Sequence, residues 1–234
     1  MAEKKLLALM IVGLACLCAP VALVVQTQEK PVIQIPKSGV PEIMTMEGTF
    51  VRAAYNNEGY VIIGYELANR SLNEPWMLLE VGMTLRDGVR EQTLKRDALS
   101  LETPDGKTIP LPSVSEHRAA NTTALQNREK VQRESINYFP PGATRACRIG
   151  FFSELSSPAM PYDEVSLSNT RACLGRLFFP VAGGIKHGQH WLNVKLEKSL
   201  IRVPFRILTE EEEKLLDRNY KDIRKQVQDA FRKK

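Results

Sequence analysis

Cys147 and Cys173 are the only cysteines outside the N-terminal apolar run, and they sit in two near-copies of one phrase, TRACRIGFF (144–152) and TRACLGRLFF (170–179). Two thiols so placed admit a disulfide, half of a metal site, a redox couple or a pair of buried free thiols. C-x-x-C spacing is absent, so neither a thioredoxin-like couple nor a zinc knuckle is supported. On strand alternation Cys147, Ile149 and Phe151 share one face, and Cys173 sits among Arg171, Leu174 and Leu177. Both thiols are expected to point inward from nearby strands, which in an exported domain predicts a structural disulfide.

His187 and His190 stand three apart in GGIKHGQHW, and His117 is the remaining histidine. Two imidazoles at i, i+3 can share a metal on a helix, but Gly183, Gly184 and Gly188 make this stretch a loop or turn. Between Glu164 and Glu197 there is no acidic residue to complete a ligand set. His187 and His190 remain the metal candidates, against a plainer reading as a turn that precedes a buried Trp191. The chain has no G-x-S-x-G elbow, no S-x-x-K with its partners and no glycine-rich loop opening a helix, so no nucleophile, phosphate site or cofactor is implied. The sequons at Asn69 and Asn121 matter only in a host that glycosylates.

The elements that must position these residues are mostly strands. From Gly48 onward the chain breaks into short runs rich in Val, Ile, Leu, Phe and Tyr, such as TFVRAAY, YVIIGYELAN, WMLLEVGMTLR and LIRVPFRI, punctuated by Gly, Pro, Asn or Asp. In SLETPDGKTIPL, Pro104-Asp105-Gly106 marks a hairpin: proline fixes φ and glycine supplies the positive φ that the turn requires. Pro140-Pro141-Gly142 marks a second turn. Between the two, residues 113–135 lose their alternation, which predicts a long loop with a short helix around Thr122–Arg133 crossing one end of the fold. The whole predicts an all-β, antiparallel sandwich over residues 47–208, and its element pattern resembles the immunoglobulin-like β-sandwich.

Both ends of the chain differ from this body. Lys4 and Lys5 precede Leu6–Val25, twenty residues without a charge, which read as a signal peptide or signal-anchor helix within residues 1–26. Cleavage after Ala19 or Ala22 would involve Pro20 unfavourably, so retention as an anchor is expected. Cys16 and Cys18 lack a good lipidation box upstream. Residues 27–46, with Pro31, Pro36 and Pro41 at regular intervals, read as an extended tether. At the other end Thr209 and Glu212 form a capping box, and Leu216, Tyr220, Ile223, Val227 and Ala230 recur at 4-3-4-3 on a charged helix over 209–234.

A net charge of +5 over 234 residues is spread thinly, with no basic stripe, which argues against nucleic acid. With hydrophobic residues at 43% and charged residues at 25%, the chain has an ordinary globular composition. These features predict an exported protein, anchored in the inner membrane through residues 6–25 and facing the periplasm, or secreted if the signal is cut. Its expected role is non-catalytic, as a protein-binding or envelope-assembly module. The partner surface, for another protein or a second copy, is expected on Leu216, Tyr220, Ile223 and Val227. The alternative is an exported enzyme or metal-binding protein using His187 and His190.

Overall fold

The computed structural model describes residues 43–155 and 159–219. The predicted anchor over residues 6–25, most of the tether, and Tyr220, Ile223 and Val227 lie outside the described residues. All described residues fall in one compact unit. The first strands are β1 (Ile43–Met46), β2 (Val51–Tyr55), β3 (Gly59–Gly64) and β4 (Trp76–Leu85). They are followed by β5 (Gln92–Lys95), β6 (Leu99–Glu102), β7 (Thr108–Pro110) and β8 (Arg145–Ile149). The last four are β9 (Glu164–Leu167), β10 (Arg171–Pro180), β11 (Gly188–Lys195) and β12 (Leu200–Ile207). Three short helices, α1 (Glu66–Asn69), α2 (Val114–Ala119) and α3 (Thr123–Glu129), interrupt them, and α4 occupies residues 210–219.

The strands build a six-stranded sheet in the order β1-β2-β3-β4-β10-β8, a four-stranded sheet in the order β12-β11-β6-β7, and a small β5-β9 pair. The two larger sheets face each other across one apolar core, as expected for a sandwich. Ile201, Val203, Phe205 and Ile207 on β12 are buried while Leu200 and the residues between them are not, the period-two signature of a strand with one wet face. Pro204 is tolerated in β12 because that strand is at an edge of its sheet. In β4 the pattern differs, since all residues but Trp76 and Glu80 are buried. Such a strand must be covered on both faces.

The second cover is the segment between β7 and β8. A smaller apolar cluster joins Val51, Ala53 and Ile62 to Ile136, with Tyr60 and Phe139 against it. Residues 134–139 lie across the sheet as a strap, and Glu134 Oε2 accepts a hydrogen bond from the Phe50 amide at 2.9 Å. Gly82 lets the strap close in: a Cβ there would sit 2.8 Å from Phe139 Cζ, so the ring would have to move. In place of the single helix predicted around Thr122–Arg133 there are two, α2 and α3, broken at Asn121 with φ +48°.

The hairpin at Pro104-Asp105-Gly106 forms as expected, joining β6 to β7, with Gly106 at φ +78° and its amide bonded to the Thr103 carbonyl at 2.9 Å. Three features depart from the sequence reading. The sheet starts at Ile43, inside the stretch read as tether. Residues 181–187 do not turn β10 back on itself; they carry the chain from the six-stranded sheet to the four-stranded one, where Trp191 is buried on β11. The sandwich is also not purely antiparallel.

The exception is the β8–β10 ladder, which is parallel and pairs Arg145 with Arg171, Ala146 with Ala172 and Cys147 with Cys173. The two near-copies of one phrase thus lie side by side in register. Residues 150–170 supply the long connection that a parallel pair requires. Cys147 and Cys173 are at disulfide distance, Sγ to Sγ 2.21 Å, and both pack against the main core. With a sequence separation of 26, the cross-link should contribute about 3 kcal/mol by restricting the unfolded chain. Non-reducing peptide mapping should recover a 147–173 cross-link, and Cys147→Ser should lower the melting temperature of oxidised protein. Two thiols that alkylate freely in the native, oxidised protein would contradict the pairing.

Candidate functional site

The most unusual chemistry among the described residues lies on the outer face of the six-stranded sheet, where α2, α3 and the strap cover β4, β10 and β8. Ser113 and Glu116 cap α2 reciprocally, at 3.2 Å for the Glu116 amide and 2.7 Å for the Ser113 amide. This fixes His117, whose Nε2 lies 3.0 Å from Thr122 Oγ1 at the start of α3. The ring packs 4.6 Å from Phe152 and 4.3 Å from Phe178. Burial, helped by the charge of Arg96, pushes its pKa down to about 4, so the ring is neutral at ordinary pH. Aromatic packing against a neutral imidazole seats the two helices on β10.

That seating buries Glu129 at the end of α3, 1% exposed. Arg176 of β10 reaches it with Nη2 at 2.9 Å and turns Nη1 to Glu154 at 2.7 Å. Arg133 approaches both Glu129 and Glu80 at 3.4 Å. Glu80 is directly opposite Arg176 in the β4–β10 ladder. Arg148 of β8 comes within 3.6 Å of Glu154, too far for a hydrogen bond, and its Nη2 has no hydrogen-bond partner; Arg176 Nε has none either. Three guanidinium groups, Arg133, Arg148 and Arg176, and three carboxyl groups, Glu80, Glu134 and Glu154, line a cavity of about 480 Å³.

The charges do not simply cancel. Burial, together with a hydrogen bond that the protonated Glu80 carboxyl donates to Glu129 and the charge of Glu129, pushes the Glu80 pKa up to about 8. Glu80 and Glu129 thus behave as a carboxyl pair holding one proton, because two buried carboxylates in contact cannot both ionise cheaply. The arrangement can dock the strap, and it can bind or release a proton near neutral pH. No sequence motif announced it. The available signal was two lone charges, Glu80 and Arg176, inside runs that are apolar on both faces.

The residues singled out in the sequence are dispersed. Cys147 and Cys173 meet on the inner side of the same ladder whose outer side carries Arg148 and Arg176. His187 is exposed, while His190 is 1% exposed, stacked on Phe205, with Nδ1 3.0 Å from the Gly188 carbonyl. Both histidines border a cavity of about 470 Å³ at one end of the sandwich. Among the described residues, no group of three His, Cys, Asp or Glu side chains is placed to hold a metal ion. Asn69 is buried, and its Oδ1 accepts from the Leu208 amide at 2.6 Å, which removes that sequon from the surface. Also missed was Glu58, buried and bonded to Gln92, Ser199 and the Lys198 amide, which ties the β2–β3 turn to the β11–β12 turn. Leu216 is half-buried on α4. Among the described residues no helix is long and apolar enough to cross a membrane.

The raised carboxyl has a definite pH signature. Glu80 keeps its proton up to about pH 8 in the folded chain against 4.5 for an ordinary glutamate. Its contribution to stability is therefore fully present below about 4.5 and is lost as pH rises through about 8. His117 works in the opposite direction and lower: its contribution is present above 6.5 and lost as pH falls through about 4. Above the His117 window, from 6.5 to about 8, the slope belongs to the carboxyl pair. Urea denaturation across that range should show wild-type stability falling with pH and Glu80→Gln nearly flat; an equally steep fall in the variant would contradict the assignment.

In comparisons with family models, with curated proteins and with solved structures, no match to this chain was found.

Proposed function

We propose that this protein is an exported β-sandwich, held at the membrane by residues 6–25, that acts by binding another protein or a second copy of itself rather than by catalysing a reaction. Anchoring rests on the uncharged Leu6–Val25 run behind Lys4 and Lys5. The immunoglobulin-like reading of the sandwich is supported by its two sheets facing across one core.

The observation that carries the binding role is the root of α4. The Thr209 amide bonds Glu212 Oε2 at 3.0 Å, and the Glu212 amide bonds Thr209 Oγ1 at 3.3 Å. Arg206 grips Glu212 and Arg70 grips Glu213, each at 2.6 Å. The helix is thus fixed to the body through charges on its first turn. Beyond that turn Leu215 is 56% exposed, and Leu216 belongs to neither apolar cluster of the sandwich. A seam that starts outside the core and continues in sequence through Tyr220, Ile223 and Val227 suits a partner helix.

The test replaces Tyr220, Ile223 and Val227 together with Ala in the full chain extracted from membranes. Association should weaken, read for copies of the chain by sedimentation and for other proteins by quantitative co-purification, while the melting temperature stays within a few degrees of wild type. A sharp fall in melting temperature would show that the helix packs on the sandwich, and undiminished association would remove it as the binding surface.

A further inference from the structure

The second cavity, at the end of the sandwich bordered by His187 and His190, supports an inference of its own. It opens between the β6–β7 hairpin and the crossover that follows β10, so each of the two facing sheets contributes a wall. Pro104, Ile109, Pro180 and Val181 make those walls mostly apolar. Its volume of about 470 Å³ falls within the range of small-molecule sites, which pair an apolar body with a few placed polar groups.

His190 supplies one such group. The Gly188 carbonyl can only accept, so Nδ1 must carry the proton in that 3.0 Å contact. Burial holds the ring below its ordinary pKa, which keeps it neutral and leaves Nε2 as a lone-pair acceptor. Among the described residues no hydrogen bond to Nε2 is found, and the ring borders the cavity. A neutral imidazole at the edge of a mostly apolar cavity offers a bound molecule one placed acceptor.

The rim supplies a second group. Lys107 is paired with Asp105 at 2.7 Å, which neutralises both. Lys186, exposed, has no acidic partner among the described residues, so the mouth carries one uncompensated positive charge. The geometry points to a binding site for a small aromatic or aliphatic acid that also bears a hydroxyl: the apolar body fills the cavity, the hydroxyl donates to His190 Nε2, and the carboxylate faces Lys186. This use of His190 needs its free lone pair but no metal, and it is independent of α4.

The probe is 4-hydroxybenzoate, compared with benzoate, which lacks the donor, and with 4-methylphenol, which lacks the anion. Calorimetric titration of the full chain should show saturable binding of 4-hydroxybenzoate, with both analogues at least tenfold weaker. Lys186→Ala should weaken binding of the two acids but not of 4-methylphenol. Ala182→Trp, which fills the mouth from an exposed position, should abolish binding with the melting temperature unchanged. His190→Phe, which retains the stack on Phe205, should make 4-hydroxybenzoate no better than benzoate. No saturable binding of 4-hydroxybenzoate, or equal binding of all three compounds, or binding that survives Ala182→Trp, would overturn the site.

Discussion

Glu129 is 1% exposed and ends α3 directly above a sheet whose neighbouring strands are apolar on both faces. A carboxylate withdrawn from water to that extent is tolerable only against a well-placed cation, since the cost of leaving it unpaired is several kcal/mol. Arg176 provides the cation, and it is fixed in place because β10 is held between β4 and β8. The ion pair therefore determines where α3 can sit, and through α3 where residues 130–139 cross the sheet. Hydrophobic contact at Ile136 and Phe139 then completes the cover, but such contact is non-directional and would accept several registers. The charge pair selects one.

Other features follow from this constraint. Once the outer face is covered, the Glu80 carboxyl is largely withdrawn from water and shares a proton with Glu129. β4 becomes a strand with two dry faces, and the six-stranded sheet becomes the middle layer of the molecule, between the four-stranded sheet and the helices. The β8–β10 ladder is used on both sides: inward it holds the cysteine pair, and outward it holds Arg148 and Arg176 around the charged cavity. A cross-link on one face of a ladder fixes the spacing of the side chains on the other, so the cysteines help to position the arginines without touching them.

What could be read in the sequence is what local chemistry decides. The Pro104-Asp105-Gly106 turn, the Thr209–Glu212 cap and the inward set of Cys147, Ile149 and Phe151 each depend on residues a few positions apart, and each appears as expected. The repeated TRAC phrase announced two similar strands but not that they would be parallel neighbours, because strand direction is set by the return path over residues 150–170. The crossover at 181–187 resembled a hairpin turn, since glycines that permit a turn equally permit a change of sheet. The charged cluster was the largest omission. Glu80 and Glu129 are 49 positions apart in the chain, and Arg176 is 47 from Glu129, so no short pattern links them. Only the continuous apolar character of WMLLEVGMTL hinted that the outer face would be covered and its lone acid buried.

The most direct test is a double-mutant cycle on the pair that closes the outer face, with Glu129→Gln, Arg176→Met and the double variant measured by denaturant unfolding at one pH. If the pair governs docking, each single change should cost about 3–5 kcal/mol by leaving its partner buried and alone. The double variant should then cost markedly less than their sum, with a coupling of about 1–3 kcal/mol. Strictly additive losses, or single changes costing less than about 0.5 kcal/mol as at an ordinary surface site, would show that the strap is held by its apolar contacts and that the ion pair follows the fold rather than directing it.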